Sequence, residues 1–180
     1  MITSCIIFLA TFGSGEMPAE NQVIEQYQSC QQHVPKSMQQ HASLYYEHFD
    51  EENIDIAVRI GWCESRGKSN AVRTAEGNFD TGVMQFVSWT WNWVAEEYDM
   101  PLWNEWIILR WDRPYDLTKV YTTSSGFQQI RAQYSAYYNI KMASILAEDI
   151  YGRTQWRDWN SSKWCWGDLN KFNKLWQSEK

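Results

Sequence analysis

The sequence predicts a mainly helical fold carrying one small turn-rich or β element, and three observations support this. Apolar residues recur at three- and four-residue steps in four stretches. Residues suited to helix starts and stops punctuate those stretches. Between Ser69 and Gln85 the helical period fails, and the polar, glycine-bearing segment TAEGNFDTG reads as turns with short extended pieces.

Taken in order, the chain opens with MITSCIIFLATFGSGEMPAE, whose apolar run from Cys5 to Phe12 precedes small residues as in a secretory signal. A buried N-terminal strand is the alternative for that run, and eight apolar residues are too few to span a bilayer. Export is the favoured reading, with residues 1–19 as the signal and 20–180 as one domain. Pro35 then begins a helix whose Met38, Ala42, Tyr45 and Phe49 share a face. Asp50 offers an N-cap for the next helix, Glu51 and Glu52 favour its first turn, and Gly67 stops it. Ile54, Ala57, Val58 and Gly61 line one side of this helix, and Glu64 points with them.

Ser88 is placed to cap a helix with Trp91, Val94, Ala95 and Tyr98 on one face. In residues 99–134, Trp103, Trp106, Ile107 and Arg110 fit a short helix, while DRPYD and TTSSG fit turns. A further helix runs from about Ser135 to Tyr151, aligning Asn139, Met142, Ala143, Leu146 and Ile150 ahead of Gly152.

Composition excludes several classes of function. A chain of 180 residues, 44% hydrophobic and 21% charged, has enough apolar material for a real core. Its twelve tryptophans and ten tyrosines exceed what that core requires, so some rings are expected to face a ligand. A net charge of −6 without a basic block argues against binding a phosphate backbone. His33, His41 and His48 lack the i, i+4 spacing of a helical zinc pair, so no metal or other cofactor is expected. Removal of the leader would leave Cys30, Cys63 and Cys165, of which two can pair in an oxidising compartment; spacing does not select the pair.

Glu64 carries the chemistry. A carboxyl group on an apolar helix face loses hydration, which disfavours its charged form. A protonated carboxyl is what cleavage of a glycosidic bond needs, because the leaving oxygen must receive a proton as the bond breaks. The alternative is a solvated Glu64 at the helix end, paired with Arg66.

The neighbourhood weighs toward chemistry. Glu64-Ser65, a turn-rich segment, Gly82-Val83-Met84-Gln85-Phe86, Ser88-Trp89-Thr90-Trp91, and then Tyr138-Asn139-Ile140 through Met142-Ala143 resemble, in that order, the signature of lysozyme-like lytic transglycosylases. Trp62-Cys63-Glu64-Ser65, taken with Trp156, Trp159 and Cys165, is also similar to exported resuscitation-promoting-factor-type domains.

The resemblance implies a lysozyme-like single domain with a small turn-rich or β element beside an active-site cleft. It further implies a monomer, secreted, periplasmic or associated with the cell wall, that cleaves β-1,4 bonds in peptidoglycan glycan strands without a cofactor. Glu64 would be the general acid and base. Ser65, Gln85, Phe86 and Tyr138 would bind substrate. A disulfide between Cys63 and Cys165 would tie the catalytic helix to the C-terminal segment, leaving Cys30 unpaired.

The chain departs from the family pattern at AYYNIKMA, which lacks the glycine of an Ala-Tyr-Asn-Ala-Gly motif and puts the role of Tyr138 in doubt. Residues 99–134 form an insertion relative to the usual connection. DTGVMQ, in turn, resembles a segment of animal-type lysozymes, which makes Asp80 a second catalytic candidate beside Glu64 and suggests hydrolysis. Asp80 as a turn residue capping backbone amides is the competing reading. Met84 divides between core and cleft wall, and Trp62, Trp89, Trp91 and Trp93 between core and sugar-stacking plates. A third possibility keeps the fold as a glycan-binding or virion structural module without catalysis.

Overall fold

The computed structural model describes residues 1–12, 21–75, 77–109, 119–150 and 156–178. Among them the chain is mainly helical with two small antiparallel sheets, arranged in two compact units: Met1–Gly67 with Gln155–Lys180, and Lys68–Thr154. No described helix is long and apolar enough to cross a membrane.

The first unit contains α1 (Ile2–Phe12), α2 (Asn21–His33), α3 (Lys36–Gln39), α4 (Ala42–His48) and α5 (Glu51–Ser65), then α8 (Lys163–Trp166) and α9 (Leu169–Gln177) from the chain's end. The N-terminal apolar run forms the helix α1 rather than the strand weighed as its alternative. It buries Ile2, Cys5, Ile6 and Leu9 and packs on α2, α4 and α5. Cys5 is bonded to Cys30 of α2, which corrects the expectation of an unpaired Cys30. That expectation counted only the cysteines after residue 19, whereas packing of α1 carries Cys5 to α2. The segment around Ala19 lies outside the described residues.

The helix expected from Pro35 to Phe49 is two helices, although Met38, Ala42, Tyr45 and Phe49 are all buried as their spacing requires. The break falls at His41, whose ring Nε2 lies 2.9 Å from the carbonyl oxygen of Gly67. Burial lowers the pKa of His41 from 6.5 to about 4, against the weaker opposing effect of that backbone contact. The folded protein therefore holds this ring neutral, while the unfolded chain protonates it below pH 6.5. Stability attributable to His41 is intact above that value and falls as pH drops toward 4, by about 3 kcal/mol in all. Chemical denaturation at pH 7 and at pH 4 will show the loss, and His41→Gln should flatten it over this window.

Aromatic rings hold the rest of this core. Trp62 of α5 meets Phe172 of α9 edge-on at 5.2 Å, and Trp156 packs against both Phe49 and Trp159. Full burial of such side chains contributes about 2 to 3 kcal/mol each. Arg59, nearly buried on α5, is held by Asp55 Oδ2 at 2.6 and 3.0 Å and also donates to the carbonyl of Trp166.

The second unit begins with the hairpin β1 (Val72–Ala75) and β2 (Asn78–Thr81), which turns through Gly77 at φ +82°. Helix α6 (Ser88–Glu97) buries Trp91, Val94 and Ala95 as expected, whereas Tyr98 falls at its C-cap and is exposed. Ser88 is its first residue rather than its cap, a position held by Val87. A three-stranded antiparallel sheet follows, ordered β3 (Trp106–Ile108), β5 (Gln128–Arg131), β4 (Tyr121–Thr122).

Trp106 and Ile107 were expected on a helix and lie instead on β3. Three residues rich in ring and branched side chains make a poor isolated helix, and pairing with β5 satisfies their backbone. The TTSSG turn is present between β4 and β5, closed by hydrogen bonds between Thr123 and Phe127 and between Gly126 and Thr123. Arg110 and DRPYD lie outside the described residues. Helix α7 (Ala136–Ser144), capped by Ser135, continues as a π-helical stretch, Ile145–Ile150; Tyr151 and Gly152 also lie outside.

Candidate active site

In the first unit Glu64 occupies the last turn of α5 and is half-buried. Its neighbours are fixed on both sides. Trp62 is 3% exposed, and Cys63 forms a disulfide with Cys165, the pair implied by the family resemblance. Ser65 is fully occupied within the helix end: its hydroxyl donates to the Gly61 carbonyl at 2.9 Å and accepts from the Gly67 N–H at 3.0 Å.

The helix stops because Arg66 and Gly67 both adopt left-handed backbone, at φ +58° and +73°. A side chain at Gly67 would stand 2.7 Å from Met38 Sδ and 2.8 Å from the Ser37 carbonyl oxygen, so only glycine fits. The Arg66 guanidinium lies 4.0 Å from the centre of the Trp62 ring and donates to the carbonyls of Trp62 and Cys63. A cation placed there satisfies the exposed carbonyls at the negative end of the helix. The result is a carboxyl-bearing residue on a rigid support.

In the second unit the segment Gly82-Val83-Met84-Gln85-Phe86 forms a tight loop, closed where Thr81 and Phe86 exchange backbone hydrogen bonds of 2.9 and 3.0 Å. Val83 and Met84 are completely buried, which puts Met84 in the core. Phe86 is 4% exposed, with its ring edge-on to Trp91. Gln85 is half-buried at φ +53°, and its amide Nε2 donates to the carbonyls of Gly82 (2.8 Å) and Ala71 (3.2 Å). Its Oε1 has no partner among the described residues and can accept a hydrogen bond from a hydroxyl.

Asn139 of α7 organises this loop. Its side chain accepts from Met84 N–H at 2.6 Å and donates to the Thr81 carbonyl at 3.1 Å. Two of the sequence motifs are thereby joined through one amide. Gly82 sits at φ +86°, and a Cβ there would fall 2.2 Å from Asn139 Nδ2 and 2.7 Å from the Gln133 carbonyl oxygen. Gly82→Ala should cost about 2 to 4 kcal/mol through strain and crowding, and Asn139→Ala about 2 kcal/mol through loss of the buried N–H acceptor. Shifted urea midpoints will measure both.

Asp80 on β2 is buried, and its Oδ2 accepts from Arg73 Nε at 2.8 Å and Nη2 at 2.5 Å, across the register pair Arg73–Asp80. The reading of Asp80 as a turn residue is thus replaced by a cross-strand ion pair. Tyr138 is half-buried, its ring 5.0 Å from that of Tyr137. Of the four tryptophans considered as plates, Trp62 and Trp91 are core, whereas Trp89 and Trp93 are 66% and 44% exposed.

Sequence reasoning missed Arg73 as the partner of Asp80 and Asn139 as the loop's anchor. The first had a signal: Arg73 and Asp80 flank Gly77 at offsets that a hairpin places opposite each other. The second had none, because its contact spans 55 residues.

No protein-family model matches the chain, and no curated protein or solved structure is significantly similar to it. Two disulfides suit a protein that folds in an oxidising compartment.

Proposed function

We propose that the protein is an exported, lysozyme-like enzyme that cleaves β-1,4 glycosidic bonds of peptidoglycan glycan strands by lytic transglycosylation, with Glu64 as general acid and base. The observation that carries this reading is Glu64 itself: a half-buried carboxyl residue at a helix end whose neighbours are locked by a disulfide, a buried indole and a doubly bonded hydroxyl. Preorganised support of this kind is what a proton-transferring side chain needs. The ordered motifs add weight, since Gly82–Phe86 and Asn139 form one bonded substructure.

In the reaction, Glu64 donates its proton to the leaving glycosidic oxygen as the bond to the anomeric carbon breaks. The carboxylate then accepts the proton of the same sugar's 6-hydroxyl, whose oxygen bonds to the anomeric carbon and closes an anhydro ring. No water is consumed, and no cofactor is called for. Ser65 would act through the helix end, holding the turn that carries Glu64.

The ion pair between Asp80 and Arg73 favours this course over hydrolysis through Asp80, because a nucleophilic carboxylate would have to give up its cationic partner to reach carbon. Mass spectrometry of soluble fragments from purified sacculi separates the outcomes. Anhydro-ended products, lighter by one water, are expected. Reducing-end products would assign a hydrolase, and binding without fragments would leave a glycan-binding or virion module.

A further inference from the structure

The strands β3, β5 and β4 form a sheet whose outer face has no role in the site above. Trp106 on one edge strand and Tyr121 on the other meet over the central strand, with ring centres 5.7 Å apart. Both are exposed, at 40% and 57%, and Ile108 and Phe127 are more exposed than Trp106. Arg131 lies opposite Trp106 in the register and holds its guanidinium 3.9 Å from the centre of that ring. At the sheet's end Ile108, Leu109, Gly126, Phe127 and Gln128 border a cavity of about 360 Å³, within the range of small-ligand sites. Aromatic plates, an amide and a fixed cation on a rigid strand surface suit a sugar's apolar face and its polar edge.

Charge narrows the occupant. The strands β3, β4 and β5 carry one charged residue, Arg131, and no carboxylate, in a chain of net charge −6. This single fixed cation matches a polymer with sparse carboxylates, such as those of the stem peptides of peptidoglycan. A nucleic acid, with one charge per nucleotide, would meet a single cation here and repulsion from the rest of the chain.

We propose that the outer face of the β3-β5-β4 sheet is a second glycan-binding surface, on which Trp106 and Tyr121 stack against sugar rings and Arg131 pairs with a carboxylate of the attached stem peptides. The proposal rests on the glycan reading above but does not require turnover. It also accounts for how an acidic protein holds an anionic wall.

The test uses the full chain carrying Glu64→Gln, so that binding is read without cleavage, in co-sedimentation with purified sacculi and with colloidal chitin. The parent should pellet with both. Adding Trp106→Ala and Tyr121→Ala should weaken binding about tenfold or more, whereas Trp106→Phe with Tyr121→Phe should retain it. Arg131→Gln should weaken binding to sacculi and leave chitin binding intact.

Far-ultraviolet circular dichroism and a cooperative thermal transition like those of the parent assign the loss to the face. A parent that binds neither polymer, alanine variants that pellet like the parent, or displacement by oligothymidylate would overturn the proposal. Failure of the catalytic reading shows separately, as an absence of soluble fragments from the unsubstituted protein.

Discussion

Glu64→Gln is expected to lower the release of soluble fragments from sacculi by about a thousandfold or more while leaving the fold in place. The amide keeps the size of the carboxyl and can still accept a hydrogen bond through oxygen, but it cannot deliver a proton to a leaving alkoxide or take one from the 6-hydroxyl. Both half-reactions pass through the same two oxygens, so no other residue in the scheme compensates. Glu64 is half-buried on a helix end fixed by other groups, and the substitution should therefore change stability by about 1 kcal/mol or less. Thermal unfolding alongside the turnover assay checks that separation. A variant that digests sacculi at the original rate would remove the carboxyl from the mechanism.

Replacing Cys63 and Cys165 together with serine should produce the largest loss of stability. The bond closes a loop with a sequence separation of 102, and in the chain-entropy account its removal costs about 4 to 5 kcal/mol. Cys5 and Cys30 are only 25 apart, for which the same account gives about 3.5 kcal/mol. Denaturant midpoints of the two double variants will establish the order of the two effects. Activity should respond unequally as well, because Cys63 precedes Glu64 directly and anchors the turn that carries it. Loss of the Cys5–Cys30 bond loosens α1 and α2, and turnover should survive it while the protein remains folded.

What could be read from residues alone was local. The buried faces of α4, α5 and α6 follow from three- and four-residue spacing, the end of α5 at Gly67 from a backbone that only glycine adopts comfortably, and the turns around Gly77 and Gly126 from the same permissiveness. The position of Glu64 on the last turn of α5 belongs to this group, since helix spacing alone puts it beside Ile60 and Gly61. Expectations broke where a distant partner outweighed local pattern. Trp106 and Ile107 became a strand because β5 lies alongside them, and the helix after Pro35 broke where His41 turned inward to Gly67.

The sequence by itself therefore determined helices α5, α6 and α7, the turns at Gly77 and Gly126 and the candidate carboxyl residue, because periodicity and glycine backbone preferences act within a few neighbouring residues. Tertiary structure alone decided that Cys5 reaches Cys30, that Arg73 engages Asp80, that Asn139 clamps the loop before Phe86, and that Trp106, Tyr121 and Arg131 share one exposed face. Each of these depends on which parts of the chain lie side by side once apolar surface has been buried, and no short stretch of sequence contains that information.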